Sequence, residues 1–148
     1  MDLILWRHAE AADDTPDRAR ELTAKGVKQA GKVATFLRQH LPDDYRILVS
    51  PTTRTQQTAA ALTHKFTLAP AVVNGASAQA VLQAARWPDA GGTVLIVGHQ
   101  PTLGEVAAHL LGCDGQSFSI KKGSLWWFSR REGSEQATLR LVITPDFL

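Results

Sequence analysis

Residues 3–10 read Leu-Ile-Leu-Trp-Arg-His-Ala-Glu, four apolar side chains running straight into an arginine and a histidine with no turn residue between. A continuous apolar run, rather than an alternating one, suits a strand buried on both faces of a sheet. Residues 47–49, 71–73 and 94–97 are further short runs rich in β-formers. Helical patterns lie between them. Val27, Ala30, Ala34, Leu37 and Leu41 step by three and four, which places one apolar stripe on a helix. Ser50-Pro51 reads as the N-cap and first turn of a second helix that buries Ala59, Leu62 and Phe66. A third helix is expected from Ser77 towards Trp87, stopping before Pro88. A fourth runs from near Pro101 to Gly112, with Leu103, Val106, Ala107 and Leu110 turned inward.

After Gly112 the pattern becomes β: residues 117–120, then 125–129, then Leu139, Leu141 and Ile143 at alternating positions. Turn signals at Lys122-Gly123 and Glu132-Gly133 suggest a meander at one edge of the sheet. Strand–helix–strand repetition implies right-handed crossovers. The expected fold class is therefore α/β: a three-layer α/β/α sandwich with a mainly parallel central sheet and a C-terminal antiparallel β meander. With 148 residues and no repeat, low-complexity tract or linker, residues 1–148 read as a single domain.

Composition narrows the function classes. A net charge of +2 is too mild to argue for nucleic acid or a membrane surface as partner. Cys113 is the only cysteine, which excludes an internal disulfide and a cysteine-based metal cluster. There is no signal-peptide pattern and no apolar run long enough for a bilayer, so a cytoplasmic protein is the default expectation. His40, His64 and His109 follow no metal-ligand spacing and read as surface or interface positions; no metal or other cofactor is expected.

In a parallel sheet, ligands sit beyond the carboxyl ends of the strands. The first strand delivers Arg7-His8 there. The second delivers Ser50-Pro51-Thr52-Thr53-Arg54, and the run at 94–97 delivers Gly98-His99-Gln100-Pro101. Two arginines and two histidines thus converge on one rim beside two helix N-termini, a setting made for an anion, best matched by a phosphoryl group. Taken singly, each has a duller reading: a surface Arg-His pair, a solvated helix arginine, a loop histidine. Their coincidence at three strand–helix junctions favours a shared site.

No P-loop, Gly-x-Ser-x-Gly elbow or cysteine-phosphatase loop is present, since Ser119 stands six positions after Cys113 where an arginine is needed. Histidine remains as nucleophile, competent when one ring nitrogen is unprotonated. Arg7, Arg54 and His99 would then hold the equatorial oxygens, with His99 a third cation if protonated. The other nitrogen of His8 is expected to donate to a backbone carbonyl that fixes the tautomer.

Three motifs, in order and with plausible spacing, resemble the histidine phosphatase superfamily, with its phosphoglycerate-mutase-like fold. They are Arg7-His8-Ala9, the Ser-Pro-x-x-Arg-x-x-Gln-Thr-Ala run from Ser50 to Ala59, and Val97-Gly98-His99-Gln100-Pro101. Leu22-Thr23-Ala24-Lys25-Gly26 resembles the family segment that opens the first helix. The resemblance implies a phosphorylated nucleophile at His8 and a phosphate pocket of Arg7, Arg54 and His99. Small size, and the segment from Phe118 to Leu125, are similar to the SixA-like phosphohistidine phosphatases.

Two departures stand out. Ala9 replaces the usual glycine, and Val73-Asn74-Gly75-Ala76-Ser77 has no carboxylate where ester-cleaving members generally place a general acid. An alkoxide leaves badly without a proton donor; a histidine ring, with a side-chain pKa of about 6.5, leaves far more easily. The implied substrate is a protein phosphohistidine, such as a phosphorelay carrier. The alternatives are a small phosphorylated substrate, cleaved with a proton from Glu10, Asp13, Asp14 or Glu105, and a non-catalytic phosphate-binding scaffold. Trp6, Trp87, Trp126 and Trp127 read as core and edge-strand packing or, for one of them, as a wall of the site, and Lys121, Lys122, Arg130 and Arg131 as a solvated face or a dock for an acidic partner.

Overall fold

A computed structural model describes residues 1–148. Strands β1 (Asp2–Arg7), β2 (Arg46–Val49), β3 (Thr67–Leu68) and β4 (Thr93–Gly98) are mutually parallel. Strands β5 (Leu125–Ser129) and β6 (Thr138–Ile143) extend the sheet antiparallel beyond β1, giving the order β3-β2-β4-β1-β5-β6. Helices α1 (Ala24–His40), α2 (Thr53–Ala60), α3 (Ala78–Ala84) and α4 (Thr102–Leu110) fill the crossovers.

Alternation along the buried strands builds two cores. Leu3, Leu5, Val94 and Ile96 face α3 and α4, packing with Val81, Leu82, Val106 and Ala107. Ile4, Trp6, Leu95 and Val97 face the other way, against Ala30, Val33, Ala34 and Leu37 of α1 and Ala59 of α2. Both faces of β1 and β4 are therefore apolar, which is why their sequences run hydrophobic without a polar phase. The three layers and the mainly parallel sheet are as expected.

Four local expectations are corrected. The run at 71–73 is no strand: Pro70–Val72 forms a 3-10 turn, and the third strand is the two-residue β3 just before it. Pro70 has no N–H to give a ladder. Residues 117–120 also pair with no strand, so the C-terminal meander reduces to the β5–β6 hairpin. Their backbone instead closes over α4, with Phe118 N–H donating to Gly104 O at 3.1 Å and Gln100 Nε2 donating to Phe118 O at 2.8 Å. The second helix starts at Thr53 with Thr52, not Ser50, as its N-cap, and Leu62 and Phe66 lie beyond its end, half-buried. The buried face of α1 is Gly26, Ala30, Val33, Ala34 and Leu37, leaving Val27 60% exposed.

Gly26 explains that rotation. A Cβ there would collide with the carbonyl of Glu10, so only glycine lets the first turn of α1 lie against the chain leaving β1. Gly31, on the same helix, has open space around it. Gly26→Ala should therefore lower the unfolding free energy in urea by about 2 kcal/mol. Gly31→Ala should raise it by about 0.5–1 kcal/mol through helix propensity. Equal effects at the two positions would refute the packing explanation.

Candidate active site

Register brings the distant motifs together. Arg7 lies opposite Gly98 in the β1–β4 ladder, and Val49 lies opposite Val97 in β2–β4. Just past the strand ends, His8 N–H donates to Gly98 O and Ser50 N–H to Val97 O, both at 3.1 Å. Residues 7–8, 50 and 98–99 thus emerge side by side, and Arg54 follows in the first turn of α2. The rings of His8 and His99 sit 5.4 Å apart, tilted by 58°. Arg54 Nη2 lies 3.5 Å from His99 Nδ1. His8 is 6% exposed, Arg54 2% and His99 3%. All four expected residues meet.

The tautomers follow from their partners. His8 Nδ1 lies 2.8 Å from the Ala9 carbonyl, which only accepts, so Nδ1 carries the proton and Nε2 keeps its lone pair. A guanidinium only donates, so His99 Nδ1 is the acceptor towards Arg54 and its Nε2–H donates to Ser50 Oγ at 2.7 Å. This is what Ser50 does in place of capping α2.

Both rings are neutral at neutral pH. Burial pushes His8 down to about 3, against the Ala9 hydrogen bond, and the charges of Arg54 and Arg7 press the same way. Burial and Arg54 push His99 down to about 4, with Asp17 opposing. The expectation of His99 as a resident third cation is thus corrected for the free protein: desolvation and two guanidiniums forbid it. Arg7 donates from Nη1 to Ile120 O at 2.7 Å. Its Nε and that of Arg54 are buried with no partner in the protein. Leaving such a donor unpaired costs about 1–3 kcal/mol, more when the group is charged.

Supporting residues account for the rest of the motifs. Thr58 Oγ1 accepts from Ala9 N–H at 3.0 Å and donates to Arg54 O at 2.8 Å, locking the nucleophile loop to α2. Gln57 Oε1 accepts from Leu22 N–H at 2.7 Å. Ala9 is fully buried and is not a left-handed residue, so its backbone is one that alanine adopts without strain.

One acidic neighbour escaped sequence reasoning. Asp17, in a 3-10 turn at residues Asp17–Ala19, accepts from Arg54 through its carbonyl at 2.9 Å and its carboxylate at 3.2 Å. No periodicity marks it, and 37 positions separate it from its partner. A hydrogen bond from Arg20, with help from Arg54, holds its carboxyl below the usual range, so it is an anion and no proton donor at neutral pH. Of the carboxylates considered from sequence, Glu10 is bound to Thr23 Oγ1 at 2.7 Å, and the side chain of Asp13 is fully exposed, 3.8 Å from Arg20.

Comparison with known proteins shows the family and the fold. Residues 3–76 match the sequence profile of the histidine phosphatase superfamily (branch 1). The chain is 34% identical over 128 residues to the phosphohistidine phosphatase SixA homolog of Haemophilus influenzae, covering 76% of this chain and 78% of the relative. The chain belongs to the histidine phosphatase superfamily. Its fold superimposes on the protein histidine phosphatase SixA complexed with tungstate at a TM-score of 0.84, with 23% identity and 99% of both chains covered. It also superimposes on a phosphoserine phosphatase of Entamoeba histolytica in complex with phosphoserine, at a TM-score of 0.75 and 18% identity, with 99% of this chain and 98% of the other covered. At those identities the likeness is one of fold, and SixA-like and ester-cleaving phosphatases share it.

The depressed histidines set a pH signature for this member of the superfamily. Their folded values, about 3 and about 4, lie below the ordinary 6.5. Between those limits the unfolded chain binds protons that the native rings refuse. Stability is therefore full above about pH 6.5 and falls as pH drops, by at most about 1.4 kcal/mol per pH unit for each ring. Urea unfolding at pH 7.5 and pH 5 should show the loss, and His99→Asn should remove about half of the histidine share, leaving that of His8. An unchanged slope would show that His99 is not held neutral.

Proposed function

We propose that this protein is a phosphatase that moves the phosphoryl group of a protein phosphohistidine first to His8 and then to water, with no metal ion. The observation that carries the reading is the free Nε2 lone pair of His8, held by Nδ1–H to Ala9 O, beside buried Arg54 and half-buried Arg7, whose buried Nε–H groups have no partner. In the first step His8 Nε2 forms a bond to phosphorus while the P–N bond of the substrate breaks. The leaving ring keeps the electron pair and takes a proton from solvent. A water oxygen then attacks phosphorus, the pair returns to Nε2, and inorganic phosphate departs.

Arg7, Arg54 and His99 hold the equatorial oxygens as charge shifts along the line of transfer. A bound anion reverses the electrostatics of the free site. Beside a phosphoryl dianion the charged form of His99 is favoured, so Nδ1 gains a proton to donate while Nε2 stays on Ser50. The leaving-group preference rests on the carboxylates. Asp17 is ionised against Arg54 and Arg20, and the stretch after β3 offers no acid, so an imidazole departs more readily than an alkoxide. The SixA homolog among the relatives supports the same substrate class. The alternatives are hydrolysis of a small phosphate ester and phosphate binding without turnover.

Turnover of a phosphohistidine-bearing protein should exceed that of a sugar phosphate. His8→Ala should abolish both turnover and acid-labile labelling of the enzyme. Arg54→Ala should lower kcat by about 10²–10³-fold without unfolding the chain. Turnover of the sugar phosphate alone would select the ester reading. Substrate binding with no label on the wild type would select the scaffold.

A further inference from the structure

A groove of about 380 Å³ outside the quartet is lined by Lys25, Lys28 and Lys32 of α1 and by Lys121, with Gln29 between them. Asp146 is its one acidic lining residue; it feels the charge of Lys121 and Lys32, but none of the four lysines lies within ion-pair distance of it or of any other carboxylate. Lysines three and four apart on a helix repel one another. The first turn of α1 contains no acidic residue, and Lys25 lies at the helix end where the macrodipole is positive and cations are disfavoured. Local stability along α1 therefore disfavours this arrangement.

The groove shares its walls with the loops that hold the nucleophile. Gln29 Oε1 accepts from Glu10 N–H at 2.9 Å. Lys121 follows Ile120, whose carbonyl takes Arg7 Nη1, and Gly123 N–H donates to His8 O at 3.0 Å. Lys25 and Lys32 are about 10 Å apart along α1 at 1.5 Å per residue. A single phosphate is too small to meet the whole row. A row of carboxylates on a facing protein surface matches its length and its sign.

We infer that the lysine groove between α1 and Lys121 docks an acidic surface of the phosphoprotein substrate, next to the phosphohistidine that enters the site. This rests on the proposed function and adds the partner's chemistry: carboxylates flanking the phosphorylated histidine. Docking of this kind acts on encounter and affinity rather than on the chemical step.

The test compares wild type with Lys25→Glu/Lys28→Glu/Lys32→Glu. The three glutamates repel one another much as the lysines do, and at position 25 the acidic residue suits the N-terminal turn, so the variant should keep the wild-type unfolding midpoint in urea. The probes are phosphoimidazole and two phosphohistidine peptides, one flanked by glutamates and one by serines. Wild type should prefer the glutamate peptide by about tenfold in kcat/KM, through KM, with the preference fading as salt rises. The variant should lose or reverse that preference while hydrolysing phosphoimidazole at the wild-type rate. A preference retained in the variant, or absent in wild type, overturns the docking inference and leaves the proposed function standing. No turnover of phosphoimidazole or either peptide by wild type overturns the proposed function, and the docking inference with it. Inhibition of wild type but not the variant by tripolyphosphate, without any peptide preference, would mark a small-anion site instead and also overturn it.

Discussion

The parallel pairing of β1 with β4 is the constraint on which the site depends. It continues past the strand ends as the hydrogen bond from His8 N–H to Gly98 O at 3.1 Å. Side chains alternate along a strand, so a slip of one residue would send Arg7 and His8 to opposite faces and invert both cores at once. Leu3, Ile4, Leu5 and Trp6 are fully buried against the two helical layers, as are Val94, Leu95, Ile96 and Val97. The register is thus specified by eight apolar side chains, and the chemistry follows at its end. Arg54 joins because β2 pairs with the other side of β4 and α2 begins directly after it.

The assembled quartet is electrostatically costly without an anion. Two guanidiniums lie beside two imidazoles that burial keeps neutral, and two buried Nε–H groups have no acceptor. Asp17 offsets part of that cost by pairing with Arg54, yet its carboxylate side chain remains 59% exposed, at the lip of the site. Such a site is preorganised for incoming negative charge: the donors are already fixed, so little reorganisation is needed when charge redistributes. Ser50 and Ala9 O define which nitrogen of each ring is available. Both contacts are made by the backbone or by a serine at a strand end, so the tautomers are tied to the sheet itself.

Much of this was legible in the sequence because the strands are buried on both faces and therefore unmistakably apolar, and because strand ends locate ligands in parallel sheets. The quartet needed only that rule. The failures share a cause, which is that tertiary contacts overrode local pattern. Residues 117–120 look like a strand, but the backbone of Phe118 is bonded to Gly104 O on α4 and to the side chain of Gln100 just before that helix. Ser50 looks like an N-cap, but its hydroxyl belongs to His99, 49 residues away. Pro70 was the one local sign that residues 71–73 could not form a ladder. Asp17 carries no local sign at all, since its importance lies entirely in a contact with α2.

The central claim is that an oxyanion rests in line with the Nε2 of His8. A crystal structure of the vanadate complex tests it most directly. Vanadium bonded to His8 Nε2, with Arg7, Arg54 and His99 on the equatorial oxygens, is the expected result. Vanadate bound away from these side chains, or facing His8 through Nδ1, would contradict it.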